Sequence, residues 1–93
     1  WVEIITLRSL AKANRQLFDE LVRQLSREKE LGLPASIEVY HHCTVETDFS
    51  IHIHWEMEAQ RPGESSFGQR LSYALKGLGL LNHSIWVETA ALE

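Results

Sequence analysis

The chain has 93 residues, a net charge of −4 at pH 7, and a composition that is 44% hydrophobic and 24% charged. These values are typical of a small globular protein, and we expect a single domain spanning residues 1–93. The nine Lys and Arg residues are scattered, mostly among acidic ones, so nucleic acids and anionic membrane surfaces are not expected as partners.

The only cysteine is Cys43, so the chain cannot form an internal disulfide bond. A single thiol fits a reducing compartment, and no apolar run approaches the roughly 18 residues that a transmembrane helix needs. We therefore expect a cytoplasmic location.

The first predicted element is a strand from Trp1 to Arg8, which is rich in Val, Ile and Leu. One face would carry Val2, Ile4 and Thr6, and the other would carry Trp1, Glu3, Ile5 and Leu7. Because both faces are mostly apolar, the sequence predicts a central strand that is covered on both sides.

An amphipathic helix is predicted from about Ala11 to Glu30. Ser9 or Asn14 could cap its start, and Gly32-Leu33-Pro34 would end it. The apolar residues at helical spacing are Ala13, Leu17, Phe18, Leu21, Val22 and Leu25.

Two further strands are predicted over Ser36–Cys43 and Phe49–Glu58, joined as an antiparallel hairpin. If Cys43 lies opposite Phe49, like faces coincide along the pair. That register pairs Tyr40 with His52, Glu38 with His54, and Val39 with Ile53.

The third strand alternates strictly between two kinds of residue. Ile51, Ile53, Trp55 and Met57 form an apolar face, whereas His52, His54 and Glu56 form a titratable one. A turn at Arg61-Pro62-Gly63-Glu64 then prevents the strand from continuing.

A second helix is predicted from Ser66, where Ser66-Phe67-Gly68-Gln69 has the spacing of a capping box. Gly77 and Gly79 can end this helix, and Ser84–Thr89 would form the last strand. The resulting order, β-α-β-β-α-β, predicts a ferredoxin-like α+β fold. Its four-stranded antiparallel sheet would have the order 4-1-3-2, with both helices on one face. A second copy of the chain covering the other face would create a dimeric α/β barrel.

With this element order, the chain resembles the antibiotic biosynthesis monooxygenase family of the dimeric α/β-barrel superfamily. The residues that carry the likeness are Ile37–His41, Phe49, Ile53–Glu56 and Ile85–Glu88. The resemblance implies a homodimer with a hydrophobic pocket between the sheet and the helices of each subunit. It also implies that some members oxidise quinols, polyphenols or polyketide aromatics without a cofactor.

In such a pocket, Trp55 and His41 would contact a small apolar or aromatic ligand, and either could take part in catalysis. Phe18 and Leu71 would form the apolar walls. The commoner role of a buried Trp or His in a core is packing, and that alternative stays open. His83 could reach the mouth of the pocket or cap the glycine-rich turn before the last strand.

His52, His54 and Glu38, with Glu56, Tyr40 and His42 nearby, form the densest group of polar side chains in the predicted sheet. A His-x-His pair beside a carboxylate could bind a metal ion. The commoner interpretation is a water-facing hairpin whose side chains share ordinary hydrogen bonds. For the whole chain, the alternative to an oxygenase is a non-catalytic ligand-binding or dimerisation module.

Overall fold

The computed structural model describes residues 1–11, 14–28 and 34–92. Its elements follow the predicted order β-α-β-β-α-β. They are β1 (Val2–Ser9), α1 (Asn14–Glu28), β2 (Ser36–His41), β3 (Asp48–His54), α2 (Ser66–Leu75) and β4 (Gly79–Trp86), with a short 3-10 turn (Lys76–Leu78) before β4.

The four strands form one antiparallel sheet with the order β2-β3-β1-β4. This is the predicted order 4-1-3-2 read from the opposite edge. β1 is central, and its Ile5 lies between Ile51 of β3 and His83 of β4. The ferredoxin-like α+β fold is therefore confirmed.

The hydrophobic core lies between the sheet and the helices. Alternate residues of β1 and β3 point into it, and Phe18 of α1 stacks on Phe49 of β3 with ring centroids 4.3 Å apart. Burying each such side chain contributes roughly 1.5–3 kcal/mol to stability. The core residues are Ile5, Leu7, Phe18, Phe49, Ile51, Ile53, Trp55, Phe67, Leu71 and Leu75.

The register of the β2–β3 hairpin differs from the prediction by two residues. His41, and not Cys43, lies opposite Phe49, so the predicted pairs Tyr40–His52, Glu38–His54 and Val39–Ile53 were wrong. The reason is the His42 ring, whose Nδ1 accepts the backbone N–H groups of Thr44 and Val45, each at 3.1 Å. These bonds begin the turn at residue 42, but the assignment of residues to faces is unchanged because the shift is even.

The strand ends also differ from the prediction. β4 begins at Gly79 and not at Ser84, because β1 offers partners along its whole length, from Val2 opposite Trp86 to Ser9 opposite Gly79. A Cβ at Gly79 would overlap the carbonyl oxygen of Arg8, so this close approach requires glycine. β3 ends at His54 and not at Glu58, because β1 starts at the opposing Val2.

Both predicted helices are present, and the cap of α2 differs from the predicted one. α2 is capped by Ser65 and not by Ser66, since the Ser65 hydroxyl accepts the backbone N–H of Gly68 at 2.9 Å. Ser9 ends β1, where its hydroxyl contacts Ala11. The predicted stop signals Gly32 and Leu33 lie outside the described residues. Neither helix is long and apolar enough to cross a membrane in the ranges described.

The sheet face opposite the helices, here called the outer face, carries a mixture of side chains. Val2 and Ile4 are half-buried, whereas Thr6 and Arg8 are exposed. Leu80 and Trp86 of β4 are 67% and 60% exposed. The outer face thus keeps large apolar surface in contact with solvent.

Candidate functional site

The most unusual residue of the core is Glu3, a carboxylate with no exposed surface. The alternation of β1 points it toward the helices, on the same face as Ile5 and Leu7. A buried charge is tolerated only where polar partners surround it. The partners of Glu3 come from three different parts of the chain.

Each oxygen of Glu3 accepts hydrogen bonds. Trp55 Nε1 donates to Oε1 at 2.7 Å, and the backbone N–H of Ser65 donates to Oε2 at 3.2 Å. The Ser65 hydroxyl donates a further, short bond to Oε1. His83 Nε2 lies 2.7 Å from Oε2. Since the Trp and backbone groups can only donate, the arrangement favours an ionised carboxylate that also receives the Nε2 proton of His83.

His83 connects this buried carboxylate to the protein surface. Its side chain is 12% exposed, and its Nδ1 lies 3.8 Å from Oε1 of Glu64, which is 55% exposed. When Nε2 of His83 donates its proton to Glu3, the neutral His83 ring has an unprotonated Nδ1 on the side that faces Glu64. A buried acid that fixes the tautomer of a partly exposed imidazole is the arrangement of a general base.

Aromatic and helical groups enclose the cluster of Glu3, His83, Ser65 and Trp55. The Trp1 ring stacks on Trp55 with centroids 5.9 Å apart, and Trp1 Nε1 donates to the carbonyl of Gln60 at 2.8 Å. The Ser65 hydroxyl that donates to Glu3 also caps α2. The cluster therefore joins β1, β4 and the start of α2 at one point.

The four residues predicted as ligand contacts lie in two separate places in the structure. Trp55, Phe18 and Leu71 belong to the buried core on the helix side of the sheet. His41 is exposed at the end of β2, with its Nδ1 3.1 Å from the carbonyl of His42. Of these residues, only Trp55 has a hydrogen bond to Glu3.

The predicted histidine face exists on the outer side of the sheet. Despite the shifted register, His54 Nε2 lies 3.3 Å from Glu38, and the rings of Tyr40 and His52 are 4.8 Å apart. These are diagonal neighbours across β2 and β3. His52 itself faces Ser50, with 2.8 Å between Nε2 and Oγ.

On the outer face, Glu38 interacts electrostatically with its neighbours, and these interactions shift pKa values. The Tyr40 hydroxyl donates to its carboxylate at 2.9 Å, and this bond, helped by His54, holds the pKa of Glu38 below its ordinary value. The same bond raises the pKa of Tyr40. Among the residues that the structure describes, no three His, Cys, Asp or Glu side chains converge in a way that could hold a metal ion.

A cavity of about 500 Å³ crosses all four strands on the outer face, near the β2–β3 turn. One row of its lining consists of Tyr40, Ser50, Thr6 and Asn82, which lie side by side in the sheet. Arg8 and Asp48 flank this row and form an ion pair at 3.5 Å. Its volume lies in the range of small-molecule sites, which is about 300–1,000 Å³.

Sequence reasoning did not assign a role to Glu3 or Ser65. It placed His83 before β4, whereas His83 lies within that strand, opposite Ile5. The available signal was a carboxylate on the same strand face as Ile5 and Leu7.

Comparisons with known proteins show the fold. No protein-family model and no curated protein matches the chain. Among solved structures, a protein from Deinococcus radiodurans, provisionally described as an antibiotic biosynthesis monooxygenase, superimposes with a TM-score of 0.69 at 18% identity. The match covers 99% of this chain and 95% of that one.

Another similar structure is a cofactor-independent oxygenase from Streptomyces nogalater. Its TM-score is 0.67 at 12% identity, over 98% of this chain and 94% of the oxygenase. A further antibiotic biosynthesis monooxygenase matches with a TM-score of 0.66 at 10% identity, over 97% of this chain and 100% of that one. The chain therefore has the fold of the antibiotic biosynthesis monooxygenase structures along nearly its full length.

Proposed function

We propose that this protein is a homodimeric, monooxygenase-like protein that binds a small aromatic molecule and oxidises a quinol or polyphenol with dioxygen, without a bound cofactor. The observation that carries the proposal is the buried Glu3 carboxylate, which is hydrogen-bonded to His83 and Trp55. The likeness in fold to a cofactor-independent oxygenase supports the reaction class.

His83 is the general base in this proposal. A phenolic hydroxyl that reaches Nδ1 of His83 gives its proton to that atom and displaces the exposed carboxylate of Glu64. Glu3 then stabilises the imidazolium that forms, through the 2.7 Å contact at Nε2. Glu3 is therefore a positioning residue, while His83 contacts the substrate.

Proton removal prepares the substrate for dioxygen because a quinol anion donates electrons more readily than the neutral quinol. In the complete reaction, the quinol loses two electrons and two protons, and dioxygen gains them. The products are the quinone and hydrogen peroxide, so one dioxygen is consumed for each quinol.

The residues predicted from the sequence have supporting roles in this proposal. Trp55, whose indole orientation is fixed by Glu3, offers an aromatic surface to the ligand. Phe18 and Leu71, which lie in the buried core, are the proposed apolar walls from the two helices. His41 lies apart from Glu3 and takes no part in this proton transfer.

The test is oxygen uptake with a panel of quinols, comparing the unmodified protein with His83→Gln and Glu3→Gln. General bases contribute roughly 10²–10⁴ in rate, so we expect His83→Gln to lower kcat about a hundredfold or more. Glu3→Gln should lower kcat without changing KM, because Glu3 does not touch the substrate. His52→Gln, on the outer face, is the matched control and should keep full activity.

Two outcomes would contradict the proposal. One is the absence of oxygen uptake above the uncatalysed rate for every quinol. The other is unchanged kcat in a folded His83→Gln protein. Circular dichroism identifies variants that fail to fold, and the peroxide yield checks the stoichiometry.

The second candidate function is a non-catalytic module whose purpose is dimerisation. The observation that favours it is the exposure of Leu80 and Trp86 on the outer face, where a second copy could cover them. This alternative predicts a dimer without turnover.

A further inference from the structure

We propose that Glu64 is a specificity-determining residue, and that it directs the site at His83 toward aromatic 1,2-diols, the catechols. The inference rests on the oxidation proposed above and narrows its substrate class. It follows from two atoms that face each other at this site, Nδ1 of His83 and Oε1 of Glu64, which lie 3.8 Å apart.

Both of these atoms are hydrogen-bond acceptors. Because Nε2 of His83 donates to Glu3, the neutral His83 ring has no proton on Nδ1. The distance of 3.8 Å between Nδ1 and Oε1 is longer than an N–H···O hydrogen bond, so no proton bridges the two atoms. The pair lacks a donor, and a bound ligand can supply one to each atom.

A ligand with two donors on neighbouring atoms satisfies both acceptors at once. The hydroxyl groups of a 1,2-diol are attached to adjacent ring carbons, so one donates to Nδ1 of His83 while the other donates to the carboxylate of Glu64. A 1,4-quinol carries its hydroxyl groups at opposite ends of the ring and reaches only one of the two acceptors. The bond to Glu64 is charge-assisted and therefore stronger than a bond between neutral groups.

The neighbouring Ser65 holds the backbone of Glu64 in place. The backbone N–H of Ser65 donates to Oε2 of Glu3 at 3.2 Å, and its hydroxyl is bonded to both Glu3 and the backbone N–H of Gly68. The side chain of Glu64 is 55% exposed. Its carboxylate can therefore turn about a fixed backbone, leave Nδ1 to the first hydroxyl and accept the second.

The site is accessible in the proposed dimer. His83 pairs with the buried Ile5 and lies on the helix side of the sheet, whereas a second copy would cover the outer face. Within the described part of the chain, β4 is an edge strand of the sheet, so no further strand shields His83 on that side.

The proposed reaction is balanced with this substrate. The 1,2-diol loses two electrons and two protons and becomes an ortho-quinone. Dioxygen gains both and leaves as hydrogen peroxide, so the proton that His83 receives at Nδ1 is returned and the ring is again neutral. Glu64 binds the second hydroxyl and sets the position of the diol.

Binding is measured without oxygen on the full, nitrogen-15-labelled chain by NMR titration. The probes are catechol, hydroquinone, whose hydroxyl groups are at opposite ends of the ring, and guaiacol, in which a methyl group replaces one hydroxyl proton of catechol. Catechol should bind at least about fivefold more tightly than either of the others, because it adds a hydrogen bond to a charged group. The backbone amide signals of Glu64 and His83 should shift.

Two substitutions of Glu64 separate its charge from its acceptor. Glu64→Leu removes the acceptor and should abolish the preference for catechol. Glu64→Gln keeps a carbonyl acceptor without the charge and should retain part of the preference. Glu20→Gln, at an exposed position of α1, is the matched control and should bind the three probes like the wild type.

Oxygen uptake separates this inference from the proposed function. Where oxidation occurs, Glu64→Leu should lower the ratio of kcat/KM for catechol to that for hydroquinone at least about fivefold. An unchanged ratio in the folded Glu64→Leu protein would overturn the role of Glu64 and leave the oxidation intact. The absence of uptake with every probe would contradict the oxidation, and the titration without oxygen then decides the role of Glu64. Equal affinity of the wild type for the three probes, or an undiminished preference in Glu64→Leu, would overturn that role.

Discussion

The hydrogen bond between Tyr40 and Glu38 makes a definite contribution to pH dependence. Glu38 has its pKa lowered below 4.5, chiefly by the Tyr40 hydroxyl, so the stabilisation it provides is present above pH 4.5 and lost as the pH falls through the folded-state pKa. Tyr40 has its pKa raised above 10.0 by the same bond, so its contribution is present below pH 10.0 and lost as the pH rises through the raised value. The hydrogen bond between Tyr40 and Glu38 therefore contributes fully to stability between pH 4.5 and pH 10.0.

We predict that Glu38→Gln lowers the pKa of Tyr40 toward its ordinary value, because the negative charge that opposes tyrosinate formation is removed. The measurement is a spectrophotometric titration of tyrosinate in a Tyr73→Phe background, which leaves Tyr40 as the only tyrosine. Glu56→Gln, exposed and beyond the end of β3, is the control and should titrate like the parent. Identical curves for Glu38→Gln and its parent would refute the prediction.

Glu3 shows why the candidate site could not be predicted fully from the sequence. Alternation placed the residue on its correct face, together with Ile5 and Leu7. Whether Glu3 is buried or exposed to solvent depends on its hydrogen-bond partners, Trp55, Ser65 and His83. These partners lie 52, 62 and 80 residues further along the chain. Local periodicity contains no information about such distant donors.

At the scale of elements, the sequence predicted the type of each element and the face on which its side chains lie. It predicted the strand register and the helix cap less well. The strict alternation in Ile51–Trp55 correctly separated the buried side chains from the histidines, since burial follows the two-residue period. The hairpin register depended instead on the ring of His42, which closes the turn early. The cap of α2 moved from Ser66 to Ser65 because Ser65 also satisfies Glu3.

Gly68 of α2 provides a test of how tightly the helix packs on the Glu3 cluster. Gly→Ala in a helix interior normally stabilises a protein by about 1 kcal/mol. Here the new Cβ would overlap the Glu3 carboxylate, so we predict that Gly68→Ala destabilises the fold by about 1–3 kcal/mol. Gly77→Ala is the matched control, because a Cβ there meets no atom within 4 Å.

Urea denaturation checks this pair of variants. Gly77→Ala should leave the free energy of unfolding unchanged or raise it by up to about 1 kcal/mol. The expected result is a lower free energy of unfolding for Gly68→Ala and no decrease for Gly77→Ala. If Gly68→Ala were as stable as Gly77→Ala, α2 would lie farther from β1 than the structure shows.

The whole molecule has two unlike sheet faces. The helix side is closed by core residues from β1 and β3, together with residues of both helices, whereas the outer face exposes Leu80 and Trp86. Solved structures with 10–18% identity share this fold. Few identical residues are needed because element order and alternation determine such an architecture, while particular side chains determine the site.

The exposed apolar side chains on the outer face support the homodimer proposed above. Trp86 lies beside Val2, with half-buried Ile4 next along β1, at the end of the face away from the cavity lining. A two-fold contact centred there would bury these apolar side chains. Trp86 would be the largest side chain in such an interface, and central Trp residues commonly dominate binding energy.

We therefore predict that the protein is dimeric at micromolar concentration and that Trp86→Glu weakens the dimer by about 2 kcal/mol or more, which is roughly thirtyfold in Kd. The cause is the loss of buried aromatic surface together with two carboxylates brought close to the two-fold axis. Tyr73→Glu is the control, because Tyr73 is 81% exposed on α2, away from the sheet. Light scattering and sedimentation equilibrium measure both variants. A well-folded wild-type monomer would refute the dimer, and a Trp86→Glu protein that dimerises as tightly as the wild type would place the interface elsewhere on the molecule.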